Sequence, residues 1–289
     1  MTRRDILTAV PVAFTADGGL DLDGSREILE YVAASGNEGA FVLGTTGEFP
    51  ALSFEERGAL TKLSLEVLSP AMRVVVHVGA PSLYEVLRLI EQARSLGAKE
   101  IAVITPYYLP STDEALLDFF TAVSVASDGL DVYVYVYRKR TGNFVSVELM
   151  ATLAGLPHIV GAKVSEEPLE LIAEYRAAVP ESFLLYTGAD RELAAAAGSG
   201  AQGVVSGISS VLPKPFRALA AAADSGDADA LAAAQADVDV VVSAIAGDMG
   251  RMKAAYSALG INGGTTRMAI QAPDAEAIAE IERVVSQYR

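Results

Sequence analysis

Three observations predict a (β/α)8 TIM barrel, an α/β fold, with a C-terminal helical extension. Short apolar runs alternate with helical stretches until eight strand-like segments have accumulated. The chain has 289 residues, more than the roughly 250 of a typical barrel. No Gly-rich dinucleotide fingerprint is present, which weighs against a doubly wound sheet. The expected division is a barrel over 1–212 carrying the active site and a helical region over 213–289 packed on it.

The elements follow in order. Residues 6–14 read as strand one. Arg3 and Arg4 ahead of it loosely mimic a secretion signal, but Pro11 interrupts the apolar run and no small-residue cleavage pattern follows. Residues 25–34 read as a helix from the spacing of Ile28, Leu29 and Val32. Strand two, 39–43, ends in Gly44-Thr45-Thr46-Gly47-Glu48-Phe49. Ser53 and Glu56 have the spacing of a capping box and open a helix to about residue 68; Ser82 and Glu85 repeat it after strand three, 73–78. Strand four, 100–104, ends in Thr105-Pro106-Tyr107-Tyr108, and a helix follows over 113–126. Strand five, 132–137, is marked by β-branched and aromatic alternation. Strands six, seven and eight fall at 159–164, 183–186 and 202–206, strand seven closing on Thr187-Gly188-Ala189-Asp190. Helices are expected over 213–223, 227–246, 251–259 and 274–288. In the second of these Leu231, Ala234, Val238, Val241 and Ile245 form an apolar stripe.

Composition narrows the function. A formal charge of −15 argues against nucleic acid or an anionic membrane as partner. With no cysteine, disulfides, thiolate catalysis and Cys-based metal sites are excluded, and a reducing compartment, the cytoplasm, fits. The two histidines, His77 and His158, lie far apart without metal-ligand spacing, so no metal is expected. No apolar run reaches the roughly 18 residues of a membrane helix.

Barrel enzymes build their sites at the C-terminal ends of the strands. Lys163 stands there on strand six, in an apolar run that either lets its head reach water or strips its solvation. Desolvation favours the neutral amine, a nucleophile that forms Schiff bases with ketones and aldehydes. The other strand ends supply hydroxyls: Thr45 and Thr46, Tyr107 and Tyr108, and Tyr135. No carboxylate adjoins the lysine in sequence, and the set suits a proton relay better than a metal site. Each piece has a plainer reading. Gly44 to Gly47 also fits a tight turn, or a cradle for a carboxylate. Tyr107 and Tyr108 also fit a surface or interface. Tyr133, Tyr135 and Tyr137 share a strand face, so any one of them could meet the lysine. Gly198-Ser199-Gly200 and Gly203 look like a phosphate loop but lack the helix that should follow, and read as a turn.

Taken together, Gly44-Thr45-Thr46-Gly47-Glu48, Thr105-Pro106-Tyr107-Tyr108, Arg140-Thr141-Gly142 and Gly161-Ala162-Lys163 resemble the dihydrodipicolinate synthase / N-acetylneuraminate lyase family of pyruvate-dependent class I aldolases. The resemblance spans the chain from Thr8 to Arg267 and implies a barrel with C-terminal helices, a homotetramer built from dimers, and no cofactor beyond a covalent Schiff base. By resemblance, Lys163 forms that Schiff base with pyruvate or a related 2-keto acid, and Tyr135 is the general acid/base. Thr45 and Tyr108 complete the relay, with Tyr108 reaching into a partner subunit. Thr46 binds the pyruvate carboxylate, and Gly44, Gly188 and Val205 are further substrate-binding positions. Arg140 before Thr-Gly is typical of the synthases, where it holds the carboxylate of aspartate semialdehyde, which a guanidinium grips bidentately. Its plainer reading is a structural ion pair.

There are departures. Val136-Tyr137-Arg138 replaces Asn-Val-Pro after the catalytic tyrosine, and Ser210 replaces an asparagine after strand eight. Phe49, Pro50, Phe54 and Arg57 stand where feedback-inhibited synthases place small polar and histidine side chains, so strong inhibition by lysine is not expected. Two alternatives remain: a 2-keto-3-deoxy sugar-acid aldolase or dehydratase, including an N-acetylneuraminate lyase-like enzyme, and a keto-acid-binding protein without turnover.

Overall fold

A computed structural model describes residues 4–289, so Arg3 lies outside the described residues. The first elements are β1 (Asp5–Ala9), α1 (Leu22–Ala33), β2 (Gly39–Val42), α2 (Phe54–Leu68), β3 (Arg73–His77), α3 (Leu83–Ser95) and β4 (Glu100–Ile104). Next come α4 (Asp113–Ala126), β5 (Asp131–Val136), α5 (Arg138–Thr141), α6 (Val147–Leu153), β6 (Ile159–Val164) and α7 (Leu169–Ala178). Then follow β7 (Leu184–Thr187), α8 (Leu193–Ala196), β8 (Gly203–Ser206), α9 (Pro213–Ser225), α10 (Ala228–Ile245), α11 (Met249–Ala258) and α12 (Ala275–Tyr288). The strands close into a barrel in the order β1-β2-β3-β4-β5-β6-β7-β8, the TIM-barrel fold expected from the alternation. Two compact units make up the chain: residues 75–204, and residues 5–74 with 205–289.

Within residues 75–204 the strands run parallel, with Ile104 opposite Tyr135, Tyr135 opposite Lys163, and Lys163 opposite Tyr186. The β5–β6 register slips early: Val132 pairs with Ile159, but Tyr133 pairs with Gly161, leaving Val160 as an extra residue. Because side chains alternate, one extra residue changes which face every later side chain takes. The slip aligns Lys163 with Tyr135. Gly161 is required beside it, since a Cβ there would lie 2.4 Å from the Leu184 carbonyl oxygen and 2.7 Å from the Tyr133 ring. Ser82 caps α3 by accepting from the Glu85 amide at 3.3 Å; only this half of the expected capping box forms. Residues 197–199 make a single 3-10 turn closed by Gly200 at φ +82°, the turn expected before β8.

Within residues 5–74 and 205–289 the expected first strand is shorter. β1 stops at Ala9; Val10 still donates to Phe41 at 3.1 Å, but Pro11 has no N–H to extend the ladder. Phe14 instead joins Leu20 and Thr265 in isolated antiparallel bridges. α1 starts three residues earlier than its apolar spacing indicates, because Asp21 accepts from the Gly24 amide at 2.8 Å and caps it. The Ser53–Glu56 capping box forms in both directions, at 3.2 and 2.8 Å. In α10, Ala234, Val238, Val241 and Ile245 are buried, whereas Leu231 is only partly covered. α11 meets α1 through an edge-on contact of Tyr31 with Tyr256, whose ring centroids are 6.0 Å apart.

Candidate active site

β6 places Lys163 near its C-terminal end, with 6% of its surface exposed. Its Nζ lies 4.2 Å from the centroid of the Tyr135 ring. Burial pushes the ammonium down to about 7, against the opposing pull of the Asp190 carboxylate. A substantial fraction of the amine is therefore neutral near pH 7, the form in which an amine acts as a Schiff-base nucleophile. Tyr135, buried, packs edge-on against His77 at 5.9 Å and tilted against Tyr137 at 6.0 Å. Of the three tyrosines on β5 and its end, Tyr135 is the register partner of the lysine; Tyr133 packs against Tyr186 at 6.2 Å. Gly188 follows β7 and donates to the Val164 carbonyl at 2.7 Å; a Cβ on it would lie 2.2 Å from the Ser165 hydroxyl.

After β5 the chain turns into α5, and four side chains form a linked row. Lys139 pairs with Glu166 at 2.8 Å, Glu166 accepts from the Tyr137 hydroxyl, and Tyr137 accepts from Arg140 Nε at 3.4 Å. Burial and the Glu166 carboxylate raise the Tyr137 phenol above its ordinary range, so it stays protonated and donates. Partial burial alone would raise the Glu166 carboxyl, but hydrogen bonds from Lys139 and Tyr137 outweigh it and bring the group down. The guanidinium of Arg140 lies over the Tyr137 ring, 5.8 Å from its centroid.

Two motifs noted in the sequence are bound to one another. Thr105 donates to the Thr141 hydroxyl at 2.9 Å, and buried Asn143 donates to the Pro106 carbonyl at 2.7 Å while accepting from the Ser111 amide at 2.7 Å. This braces the loop that carries Tyr107 and Tyr108. Tyr108 sits at φ +81° with 92% of its surface exposed.

In the other unit, Gly44 opens a single 3-10 turn through Thr45 and Thr46, and a Cβ on Gly44 would come within 2.8 Å of the Phe41 ring. The turn ends at Glu48, at φ +53° with no exposed surface. Its carboxylate meets Lys253 at 2.7 Å and accepts from the amides of Arg267 and Met268 at 2.9 and 2.7 Å. Arg267 also grips Glu56 through both terminal nitrogens, at 2.7 and 2.8 Å. Gly207, following β8, lies against Thr46, and Val205 is buried in β8 itself. Ser210, where an asparagine is common, donates to the Gly207 carbonyl at 2.6 Å.

Over residues 2–288 the sequence matches the family model described as the dihydrodipicolinate synthetase family. The chain belongs to this family. The motif resemblance therefore holds along its whole length, and the chain is an enzyme of the pyruvate-dependent lyase class, whose Schiff-base chemistry needs no cofactor. It is 33% identical over 279 residues to an uncharacterized DapA-like lyase of Halobacterium salinarum, covering 96% of this chain and 91% of that one. It is 34% identical over 221 residues to the 4-hydroxy-tetrahydrodipicolinate synthase of Methylococcus capsulatus, covering 76% of each. The dihydrodipicolinate synthase of Thermotoga maritima superposes with a TM-score of 0.91 at 28% identity, covering 100% of this chain and 99% of that one.

Sequence reasoning in this family setting missed Glu166, Asp190 and the partner of Glu48. Glu166 had one local signal, an acid three residues beyond the lysine; Lys253, 205 residues from Glu48, had none. Among the described residues no group of three or more His, Cys, Asp or Glu could hold a metal, and no single helix is long and apolar enough to cross a membrane.

Proposed function

We propose that this protein condenses pyruvate with aspartate semialdehyde through a Schiff base on Lys163, as a 4-hydroxy-tetrahydrodipicolinate synthase does. The observation that carries the reading is the buried Lys163 amine held against the Tyr135 ring at 4.2 Å. The amine adds to the ketone of pyruvate and expels water, giving an iminium that serves as the electron sink. A C3 proton then leaves, and the resulting enamine attacks the aldehyde carbon while the aldehyde oxygen takes up a proton. Tyr135 is the acid/base for these transfers. Thr45 and Tyr108 enter from the family pattern as the other relay hydroxyls; the exposed position of Tyr108 suits a residue that serves a partner subunit. Thr46 receives the pyruvate carboxylate, and Gly44, Gly188 and Val205 are further substrate-binding positions. Arg140 receives the carboxylate of the aldehyde. The working assembly in this reading is a homotetramer of paired dimers in the cytoplasm, with residues 1–212 as the catalytic barrel and 213–289 as its appended helical part.

A second reading is favoured by one observation. The Tyr137 hydroxyl and Glu166 carboxylate beside Arg140 also suit a polyhydroxylated partner, as in a 2-keto-3-deoxy sugar-acid aldolase. Incubation with pyruvate and borohydride should add a reduced pyruvyl group to Lys163, located by peptide mass mapping. Absence of the adduct with pyruvate and with related 2-keto acids overturns both readings. Once the adduct forms, consumption of aspartate semialdehyde or cleavage of sugar keto acids separates them.

A further inference from the structure

Arg140 lies in the exposed segment after β5, yet its place is not left to its own rotamers. Its Nε donates to the Tyr137 hydroxyl at 3.4 Å, and its guanidinium plane lies over the Tyr137 ring. Tyr137 is itself fixed: it is buried, its ring packs at 6.0 Å from that of Tyr135, and its hydroxyl donates to Glu166. Glu166 is held in turn by Lys139 at 2.8 Å and by a left-handed backbone at φ +55°, unusual for a residue with a side chain. Tyr137 engages Arg140 through Nε.

We propose that Tyr137, anchored by Glu166, is a positioning residue that orients Arg140 toward the carboxylate of the second substrate. This inference rests on the reading of Arg140 given above. A long, exposed guanidinium loses rotamer entropy when it binds, and fixing its Nε in advance reduces that loss. The phenol is suited to the task because it accepts from Nε and donates to a carboxylate at once. The ring contact with Tyr135 also ties the carboxylate receptor to the proposed acid/base, so that the aldehyde carbon is delivered at a set distance from the enamine. Tyr137, a departure from the family pattern, is then part of the second-substrate site rather than a disturbance of it.

The test compares Tyr137→Phe, Glu166→Gln, Arg140→Ala and the double variant Tyr137→Phe/Arg140→Ala in the full-length protein. Tyr137→Phe keeps the ring and its packing while removing the hydroxyl. The expected result is a rise in KM for aspartate semialdehyde of about tenfold, the scale of one hydrogen bond to a charged group, with kcat and the rate of pyruvate trapping on Lys163 little changed. Glu166→Gln should give a smaller rise, because an amide oxygen still accepts from the phenol. The double variant should be no worse than Arg140→Ala alone, since a positioning effect vanishes with the group it positions. Additive losses, or a Tyr137→Phe that slows pyruvate trapping as much as it raises KM, overturn the inference in favour of a structural role. A wild-type protein that traps pyruvate on Lys163 yet shows no saturable use of aspartate semialdehyde overturns it too, while leaving the Schiff-base reading intact. A wild-type protein that traps no 2-keto acid overturns both.

Discussion

Lys163 and Tyr135 are register partners on adjacent parallel strands, and the lysine Nζ rests 4.2 Å from the centre of the tyrosine ring. The ring face attracts an ammonium, but burial works against it and wins, bringing the group to about 7. Trapping of pyruvate by borohydride should therefore accelerate as pH rises through about 7 and level off above it. Asp190 favours the charged form, so Asp190→Asn should move this rise to lower pH. A shift to higher pH, or none, would show that Asp190 does not set the charge of the lysine. The same depression makes this group's contribution to stability increase with pH between about 7 and the unfolded value near 10.4, where only the unfolded chain still binds the proton.

Tyr135→Phe separates packing from proton transfer. The ring remains against Lys163 and His77, while the hydroxyl is lost. Turnover with pyruvate and its aldehyde partner should fall by about 10²- to 10⁴-fold, the usual weight of a general acid/base, while the unfolding transition is retained. Undiminished turnover would move that role to another group.

Glu48 is fully buried and meets Lys253, only 3% exposed, at 2.7 Å. Removing one charge from such a pair strands the other, so Glu48→Gln should cost about 3–5 kcal/mol in urea unfolding. The exposed pair Arg283–Glu280 on α12 serves as a control, and Glu280→Gln there should leave the midpoint in place. Equal effects would mean that Glu48 is solvated in solution.

Gly161→Ala tests the crowding on β6. The added methyl would meet the Leu184 carbonyl at 2.4 Å, a backbone atom that cannot rotate away, as well as the Tyr133 ring. A loss of about 1–3 kcal/mol or more is expected by thermal or urea unfolding, together with slower trapping on Lys163. Unchanged stability would mean that the strands part at little cost.

Free lysine should not inhibit strongly. Beyond the Gly44 to Gly47 turn, Phe49 is buried with the Arg57 guanidinium 5.6 Å from its ring centre, and apolar contact and positive charge suit an ammonium-bearing ligand poorly. Steady-state kinetics with added L-lysine will decide this, and a low-micromolar inhibition constant would overturn it.

Much of this was legible in the chain itself. Glu100–Ile104, Asp113–Ala126 and Ile159–Val164 form over the expected residues because local apolar patterning and flanking turns agree there. Lys163 stands out as an amine in an apolar strand, but that stretch alone favours a solvated strand-end lysine; the hydroxyls at the other strand ends and the motif resemblance are what point to chemistry. The apolar run of strand one continues past Pro11, which cannot join a ladder, so β1 is shorter than the run suggests. The carboxylates near the site were harder to see. Asp190 acts on Lys163 from 27 residues away in sequence, and Glu166 acts through a left-handed turn that its residue type does not announce. Lys253 joins Glu48 across 205 residues, a pairing that no local pattern encodes.

The extra residue at Val160 has a consequence for how this barrel can change. Up to Ile159, β6 keeps step with one face of β5; from Gly161 onward it keeps step with the other. Loss of a single codon at that point would leave the apolar composition and the strand almost intact, yet it would rotate Lys163 toward the surrounding helices. The alignment of Lys163 with Tyr135 and its loss in a barrel of nearly identical sequence thus stand one deletion apart.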